Sequence, residues 1–351
     1  LTVRSAYAEF DPTVTYLNTA TYGLPPRRSW AELERAQAAY RAGRVSPQSY
    51  DRSVQRARAA FSRLVGIDVA QVAVGSQGSG FVSLIAANLP ADSEVLTATG
   101  DFTSLLFPFH VQQADGLIVR EAPLDAIAQS VTERTGLVAV SLVQSADGRL
   151  LDLPGLREAC DRSGSQILLD ITQAAGWLPV DAGTVDYTVC SGYKWLLAPR
   201  GTAYLTVRPE LMDALLPLQA GWYAGEDPWQ SIYGGPLRLA ADARRFDLSP
   251  AWHSWVAAAP ALEMLAEIDG TALQTHSVGL ANQFRAGVGL EPGDSAIVSL
   301  IVDDHASEAL RAAEIAAASR AGRLRLSFHL ANDEQDVAYA VSVIGPHVIM
   351  H

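Results

Sequence analysis

Lys194 is the only lysine in this chain, and it stands in a mostly apolar run, VCSGYKWLLAPRG, at 189–201. Arginine takes every other Lys or Arg position. The two cations differ in chemistry. A lysine amine can lose its proton and condense with an aldehyde to a Schiff base, and desolvation lowers its pKa toward that reaction. A guanidinium stays protonated and cannot follow. A chain that tolerates Arg elsewhere would still need Lys at an imine-forming site. The alternative is a lysine whose stem covers apolar surface while its amine reaches water.

Asp170 is the second candidate. It lies in LLDITQAAGW (168–177), at the end of a very apolar run. An acid there is costly unless it is paired or placed at the carboxyl edge of a sheet, where α/β ligand sites form. A pyridinium nitrogen is a suitable partner, and Asp is its expected companion in pyridoxal-phosphate enzymes. Asp170 could instead cap a helix, with Gln173 at the third helical position. With Lys194 downstream, the cofactor reading is favoured. A phosphate cradle is also needed. GSQGSGF (75–81) follows the run VAV and opens a helical stretch, and its small residues let backbone N–H groups approach a phosphate at a helix N-terminus. Gly78, Ser79 and Gly80 are the candidates. The spacing fits neither the Rossmann nor the P-loop fingerprint, and an ordinary Gly/Ser helix start has the same composition.

These residues need elements to hold them. Short β-branched or apolar runs bounded by turn signals predict strands at 72–75, 94–99, 117–122, 137–143, 166–171, 187–192 and 202–207. Helical stretches are expected at 80–88, 124–132 and 153–163. Strands alternating with helices indicate an α/β architecture with a mostly parallel sheet. After about residue 208 the pattern changes. The segment 217–236 is rich in Gly, Pro and Trp and reads as an ordered loop. A long helix follows at about 254–268. The tail reads as a strand (296–302), a helix (306–318), a strand (323–329) and a closing helix from Asp333, which suits a small α+β domain. The expected division is a large cofactor-binding domain at 15–235. A small domain takes 1–14 and 236–351, with the helix at 254–268 as connection.

Bulk properties narrow the function. The 351 residues are 49% hydrophobic and 18% charged, ample for a large core and unlike a disordered chain. The formal net charge is -12, and no Arg cluster offers a face for nucleic acid. No apolar run approaches the roughly 18 residues of a membrane span. The N-terminus lacks the charged-then-apolar order of a signal peptide, and its missing initiator Met reads as trimming. The two cysteines, Cys160 and Cys190, have no CxxC neighbour, so no zinc site or disulfide framework is indicated. No metal spacing such as HExxH appears among the scattered histidines, from His110 to His351. A cytoplasmic location is the expectation.

The small-residue loop, Asp170-x-x-Gln173 and Ser191-x-x-Lys194 appear in this order on successive predicted strands. That arrangement resembles fold-type I pyridoxal-phosphate enzymes, and within them the class V aminotransferase family. This group includes cysteine desulfurases, kynureninases, isopenicillin N epimerase-like proteins and carbon–sulfur lyases. The resemblance covers nearly the whole chain. YLNTATYGLPP (16–26) looks like the family's opening YLxxAxxG, which lies by the substrate and here includes Ala20 and Thr21. Phe102, in GDFTSLLFPF (100–109), falls where the family places a ring over the cofactor. RLRLSFHLANDEQDV (323–337) looks like the family's RxSxxxYNxxxDV.

The resemblance implies roles. Lys194 would hold pyridoxal 5'-phosphate as an imine and later move the α-proton. Asp170 would keep the ring nitrogen protonated, and Gln173 would donate to the ring hydroxyl. Gly78, Ser79 and Ser191 would bind the phosphate. Arg325 would clamp the α-carboxylate of an amino-acid substrate. The resemblance also implies a homodimer with the site at the interface, which the loop at 217–236 could reach; Trp222 reads as a packed interface residue that could touch cofactor. Two departures bear on the substrate: Tyr193 replaces the His of SGHK, and Ala331 replaces the Tyr of YN. The family's desulfurases carry a mobile cysteine around residue 310, where this chain has HASEALRAAEIAAASRAG, so a persulfide-forming desulfurase is not expected. Transamination is preferred, with β-elimination close behind and epimerisation open; a non-enzymatic binding protein on the same scaffold is the contrasting reading, against which the retained Lys194 argues. His329 reads as a structural residue, and Arg244 and Arg245 as either a second carboxylate site or a surface pair.

Overall fold

The β-branched runs become the strands of one seven-stranded sheet. The chain is described by a computed structural model over residues 1–349, and His351 lies outside the described residues. The strands run β1 (Thr15–Tyr16), β2 (Val72–Gly75), β3 (Glu94–Ala98), β4 (Ile118–Ala122), β5 (Thr135–Ser141), β6 (Gln166–Asp170), β7 (Tyr187–Ser191), β8 (Ala203–Val207), β9 (Ile297–Leu300), β10 (Ile315–Ala316), β11 (Ala318–Arg320) and β12 (Arg323–Ser327). The helices run α1 (Val3–Tyr7), α2 (Arg27–Arg41), α3 (Pro47–Leu64), α4 (Gly78–Ala86), α5 (Thr103–Gln112), α6 (Leu153–Ser163), α7 (Trp252–Ala266), α8 (Gly270–Gly287), α9 (Ala306–Ala312) and α10 (Glu334–Ile344).

The large sheet has the order β2-β8-β7-β6-β5-β3-β4. From β7 to β4 neighbouring strands are parallel, and β8 is antiparallel to both β7 and β2. Parallel strands covered on both faces need side chains that are apolar on both sides. That is why β3 is buried throughout and β5 everywhere but Gly136, and the antiparallel β2 and β8 are buried throughout as well. Register brings Ser141 beside Asp170, and Asp170 beside Val189, at the carboxyl ends of β5, β6 and β7. The strands carrying the predicted motifs are therefore not simply successive: β8 separates β2 from β7.

Helix ends follow local chemistry. The Asp152 side chain accepts from Gly155 N at the start of α6, and Asp269 does the same for Ala272 N at the start of α8. Asp333 and Asp336 close a capping box on α10. Two expectations need correction. The helix expected at 124–132 is a pair of 3-10 turns, Leu124–Ala126 and Ala128–Ser130. There Ser130 Oγ donates back to Ala126 O, and the Ser130 carbonyl accepts from Arg120, which takes it out of a longer helix. The helix expected at 306–318 stops at Ala312. The residues beyond it pair in β10 and β11, so tertiary pairing overrides their helix propensity. Helices α2, α3 and α8 are additional to those read from the sequence.

Helix α7 packs on α3, and Phe61 stacks on Tyr204 with ring centroids 4.1 Å apart. Beside them lies a buried ion pair. Arg58 Nη2 and Asp247 Oδ2 are 2.6 Å apart, and Asp247 Oδ1 also accepts from Val74 N at 2.8 Å. This ties α3 to β2, whose end opens the GSQGSG loop. A separate apolar cluster joins α8, β9, β12 and α10 to Leu17. The three-stranded sheet β11-β12-β9 lies there, and β1 pairs in parallel with β10. The segment after β1 then runs to the Lys194 loop, where Gly23 N donates to Tyr193 O at 2.9 Å. A Cβ at Gly23 would fall on the Lys194 carbonyl, so this approach requires glycine. No helix among the described residues is long and apolar enough to cross a membrane.

Candidate functional site

A cavity of about 320 Å³ opens at the carboxyl ends of β5, β6 and β7. Asp170 reaches it from the end of β6, Ser191 from the end of β7, and Lys194 from the turn just beyond. Beside Ser191 α4 begins, with Gly78 and Ser79 at the wall. A Cβ on Gly78 would sit 3.1 Å from Ser191 Oγ, so glycine lets the helix N-terminus approach β7 closely. Backbone N–H groups and two hydroxyls thus line one end, a chemistry suited to phosphate. Gly80 does not line the cavity.

Lys194 is 6% exposed. Burial pushes its amine down to about 8, opposed by the Asp170 carboxylate and reinforced by Arg325. Its Nζ lies 5.1 Å from the centroid of the Phe102 ring and 5.8 Å from that of Tyr193. Asp101 holds the Phe102 loop in place. Its carboxylate accepts from Phe102 N at 2.7 Å, from Ser141 N at 2.8 Å and from Gln144 Nε2 at 3.1 Å. Burial raises the Asp170 carboxyl, against a bond from Thr172 N at 2.8 Å. No helix follows Asp170, so the capping alternative does not describe it. A carboxyl pushed up by burial at a cavity wall gains from a cation placed in that cavity, as a pyridinium would be.

Gln173 lies 4% exposed beneath the cavity. Its Nε2 donates to Ala20 O and Ser145 Oγ, both at 3.0 Å, and its Oε1 accepts from Trp195 Nε1 at 2.7 Å. Both amide protons are committed, so donation to a ring hydroxyl would have to displace one of these acceptors. Ser145 leads on to Arg325, which is 2% exposed. Arg325 donates to Ser145 O and Oγ, and to Thr21 Oγ1 at 2.6 Å. Burial pushes its guanidinium down to about 10, helped by Arg320. Ala20, Thr21, Gln173 and Arg325 thus belong to one hydrogen-bonded network that meets the cavity through Gln173 and Ser145, while Ala20, Thr21 and Arg325 do not themselves line it.

Other candidates lie elsewhere. Arg244 pairs with Asp242 at 2.9 Å and Arg245 with Asp213 at 2.8 Å, which makes them structural pairs instead of a carboxylate site. His329 Nε2 bonds Gly176 O at 3.0 Å while Nδ1 accepts from Leu330 N, and burial pushes the ring down to about 3, so it is a neutral structural residue. Trp222 packs against Trp229 and Tyr223 and does not line this cavity. Sequence reading passed over Ser145, Thr172 and Arg200, all at the wall. Arg200 lies 4.3 Å from the centroid of the Tyr193 ring. Common surface residue types carry no signal in sequence; only the strand ends beside them could have pointed there.

Comparison with known proteins identifies the family and the fold. The family model for aminotransferase class-V matches residues 33–299. The chain is 29% identical over 322 residues to YcbU of Bacillus subtilis (strain 168), named as an uncharacterized aminotransferase, covering 84% of this chain and 83% of that one. It is 27% identical to the isopenicillin N epimerase of Streptomyces clavuligerus, covering 81% and 77%. Relatives named kynureninase and cysteine desulfurase match as well. Among solved structures, C-DES with glycine covalently linked to its PLP cofactor superposes with a TM-score of 0.87 at 18% identity, over 98% of this chain and 99% of that one. The fold is that of fold-type I enzymes, a mostly parallel sheet with its helices. The chain belongs to the aminotransferase class-V family of pyridoxal-phosphate-dependent enzymes.

Proposed function

We propose that this enzyme acts on an α-amino acid as a transaminase of the class V type, with Lys194 as the residue that carries pyridoxal 5'-phosphate. The observation that carries the reading is the buried Lys194 amine, held to about 8 within a cavity that also contains Asp170. When bound, the cofactor supplies an aldehyde carbon and a cationic ring that withdraws electrons from the substrate Cα. Lys194 would hold it through its amine and, once released, carry the proton to and from Cα. Asp170 would keep the ring nitrogen protonated. Gly78, Ser79 and Ser191 would hold the phosphate, and Phe102 would cover the ring. Arg325, with Ala20 and Thr21 beside it, would receive the α-carboxylate.

β-Elimination and epimerisation use the same residues up to loss of the α-proton. A persulfide step needs a mobile thiolate. Cys160 and Cys190 are buried, and burial pushes the Cys160 thiol up to about 12 and Cys190 well up as well. This supports a reading without that step, while the relatives named desulfurases favour the opposite one. The proposal includes a homodimer in which the neighbouring subunit helps enclose the site.

The deciding experiment is a visible spectrum of the cofactor-reconstituted protein during addition of amino acids without keto acid. Permanent bleaching supports transamination. Recovery of the yellow colour with keto acid and ammonia assigns β-elimination, recovery with an inverted Cα assigns epimerisation, and alanine with a protein persulfide assigns desulfuration. Lys194→Ala is expected to be folded, colourless and inactive; normal turnover by that variant overturns the reading.

A further inference from the structure

Two guanidinium groups close on one hydroxyl behind Ser145, which lines this site. Thr21 Oγ1 accepts from Arg325 Nη2 at 2.6 Å and from Arg320 Nη2 at 3.2 Å. Neither arginine has a carboxylate within salt-bridge distance among the described residues. The chain carries 38 Asp and Glu residues, and Arg28, Arg56, Arg58 and Arg120 each have one close by. Leaving two adjacent cations uncompensated is costly. Arg320 contributes to the depression of both Arg325 and Lys194, so the repulsion reaches the reacting end of the cavity.

The two arginines sit at different depths. Arg325 is buried, with its fork toward Ser145 and Thr21. Arg320 is exposed. It is nevertheless fixed by the backbone. It ends β11 opposite Arg323, immediately before the two-residue turn Ala321–Gly322. One α-carboxylate balances one of these charges. A second anion, one side-chain length away, balances the other.

We propose that the substrate is an α-amino acid with a second carboxylate on its side chain, the α-carboxylate held by Arg325 and the distal one by Arg320. The assignment rests on the amino-acid reading of the site given above, and the test separates the two. Calorimetric titration of the reconstituted protein compares glutarate with butyrate and succinate with propionate. Each pair shares one alkyl stem, and the monocarboxylate carries a hydrogen where the dicarboxylate carries its second carboxylate. None carries an amine, so none can react in place of Lys194. The expected result is that at least one dicarboxylate binds about tenfold more tightly than its monocarboxylate, as a charge-assisted pair to a fixed Arg allows. Arg320→Gln should bring that ratio to about one, and Arg325→Gln should weaken both members. A ratio near one in the native protein, or an unchanged ratio in Arg320→Gln, overturns the proposal. The cofactor reading is scored separately by borohydride reduction and peptide mass at Lys194. A missing adduct there would sink that reading and leave the calorimetric ratio to decide on the anion site.

Discussion

Protonating Lys194 costs more in its cavity than in water, because 94% of its surface is covered while its nearest acid, Asp170, only partly offsets the loss of solvation. The sign follows. With the amine pushed down to about 8, roughly a quarter of it is unprotonated at pH 7.5, against about one part in a thousand for an ordinary lysine. Capture of pyridoxal phosphate by the cofactor-free protein is therefore expected to accelerate with pH with a midpoint near 8, read as growth of visible absorbance. A midpoint near 10.5 would mean that burial does not activate this amine. The folded state also sheds this proton first, so the cofactor-free protein gains stability as pH rises through that same interval, up to the unfolded value. Lys194 and Asp170 were legible in the sequence because each is an ionisable group in an apolar run, where the local cost marks it. Ser145 and Arg200 were not, because Ser and Arg are ordinary surface residues until a fold brings them to a wall.

At the scale of elements, the hairpin that carries Arg320 contains a strained residue. Ala321 has φ 48 and Gly322 has φ 75, the two left-handed positions of a tight turn between β11 and β12. Glycine takes that region freely, whereas an alanine there costs roughly 1 kcal/mol. Asn tolerates it better and does not add glycine's freedom to the unfolded chain. Ala321→Asn is therefore expected to stabilise the protein by roughly 0.5–1 kcal/mol. A denaturant titration should show a higher midpoint with an unchanged slope. A lower midpoint would show that the added carboxamide costs more in its surroundings than the relieved backbone strain returns. The hairpin also shows where sequence reading stops. The strand RLRLS and helix α6 were legible from alternation, amphipathic spacing and caps. Residues 313–318 are rich in Ala and read as helix. They become strands only because β1, from the far end of the chain, and β12 supply partners.

At the scale of the whole molecule, the segment between β8 and α7 leaves large apolar side chains in water. Leu216 is 61% exposed, Leu218 58%, Tyr233 88% and Leu237 78%. Single exposed leucines are ordinary, but four large apolar residues in one Gly- and Pro-rich segment mark a contact surface. The segment is not loose chain. Glu226 N donates to Arg238 O, and Ala240 N donates to Ala224 O, which closes it into a broad loop. Trp229 Nε1 donates to Asp51, which fastens it to α3. An ordered loop with an apolar outer face fits a second copy of the chain, as the proposed homodimer requires. Composition alone could show that the loop is rich in aromatics, not which of them the fold leaves uncovered. The native protein is expected to sediment as a dimer. The double variant Leu218→Glu, Leu237→Glu should sediment as a monomer at the same concentration, because two carboxylates would be buried without partners at the contact. If the neighbouring subunit helps enclose the site, the same variant should also release cofactor at least tenfold more readily, since a wall of the site would be opened to water. A monomer that keeps native cofactor affinity would place the whole site within one chain. A dimer that survives both substitutions would move the contact to another face.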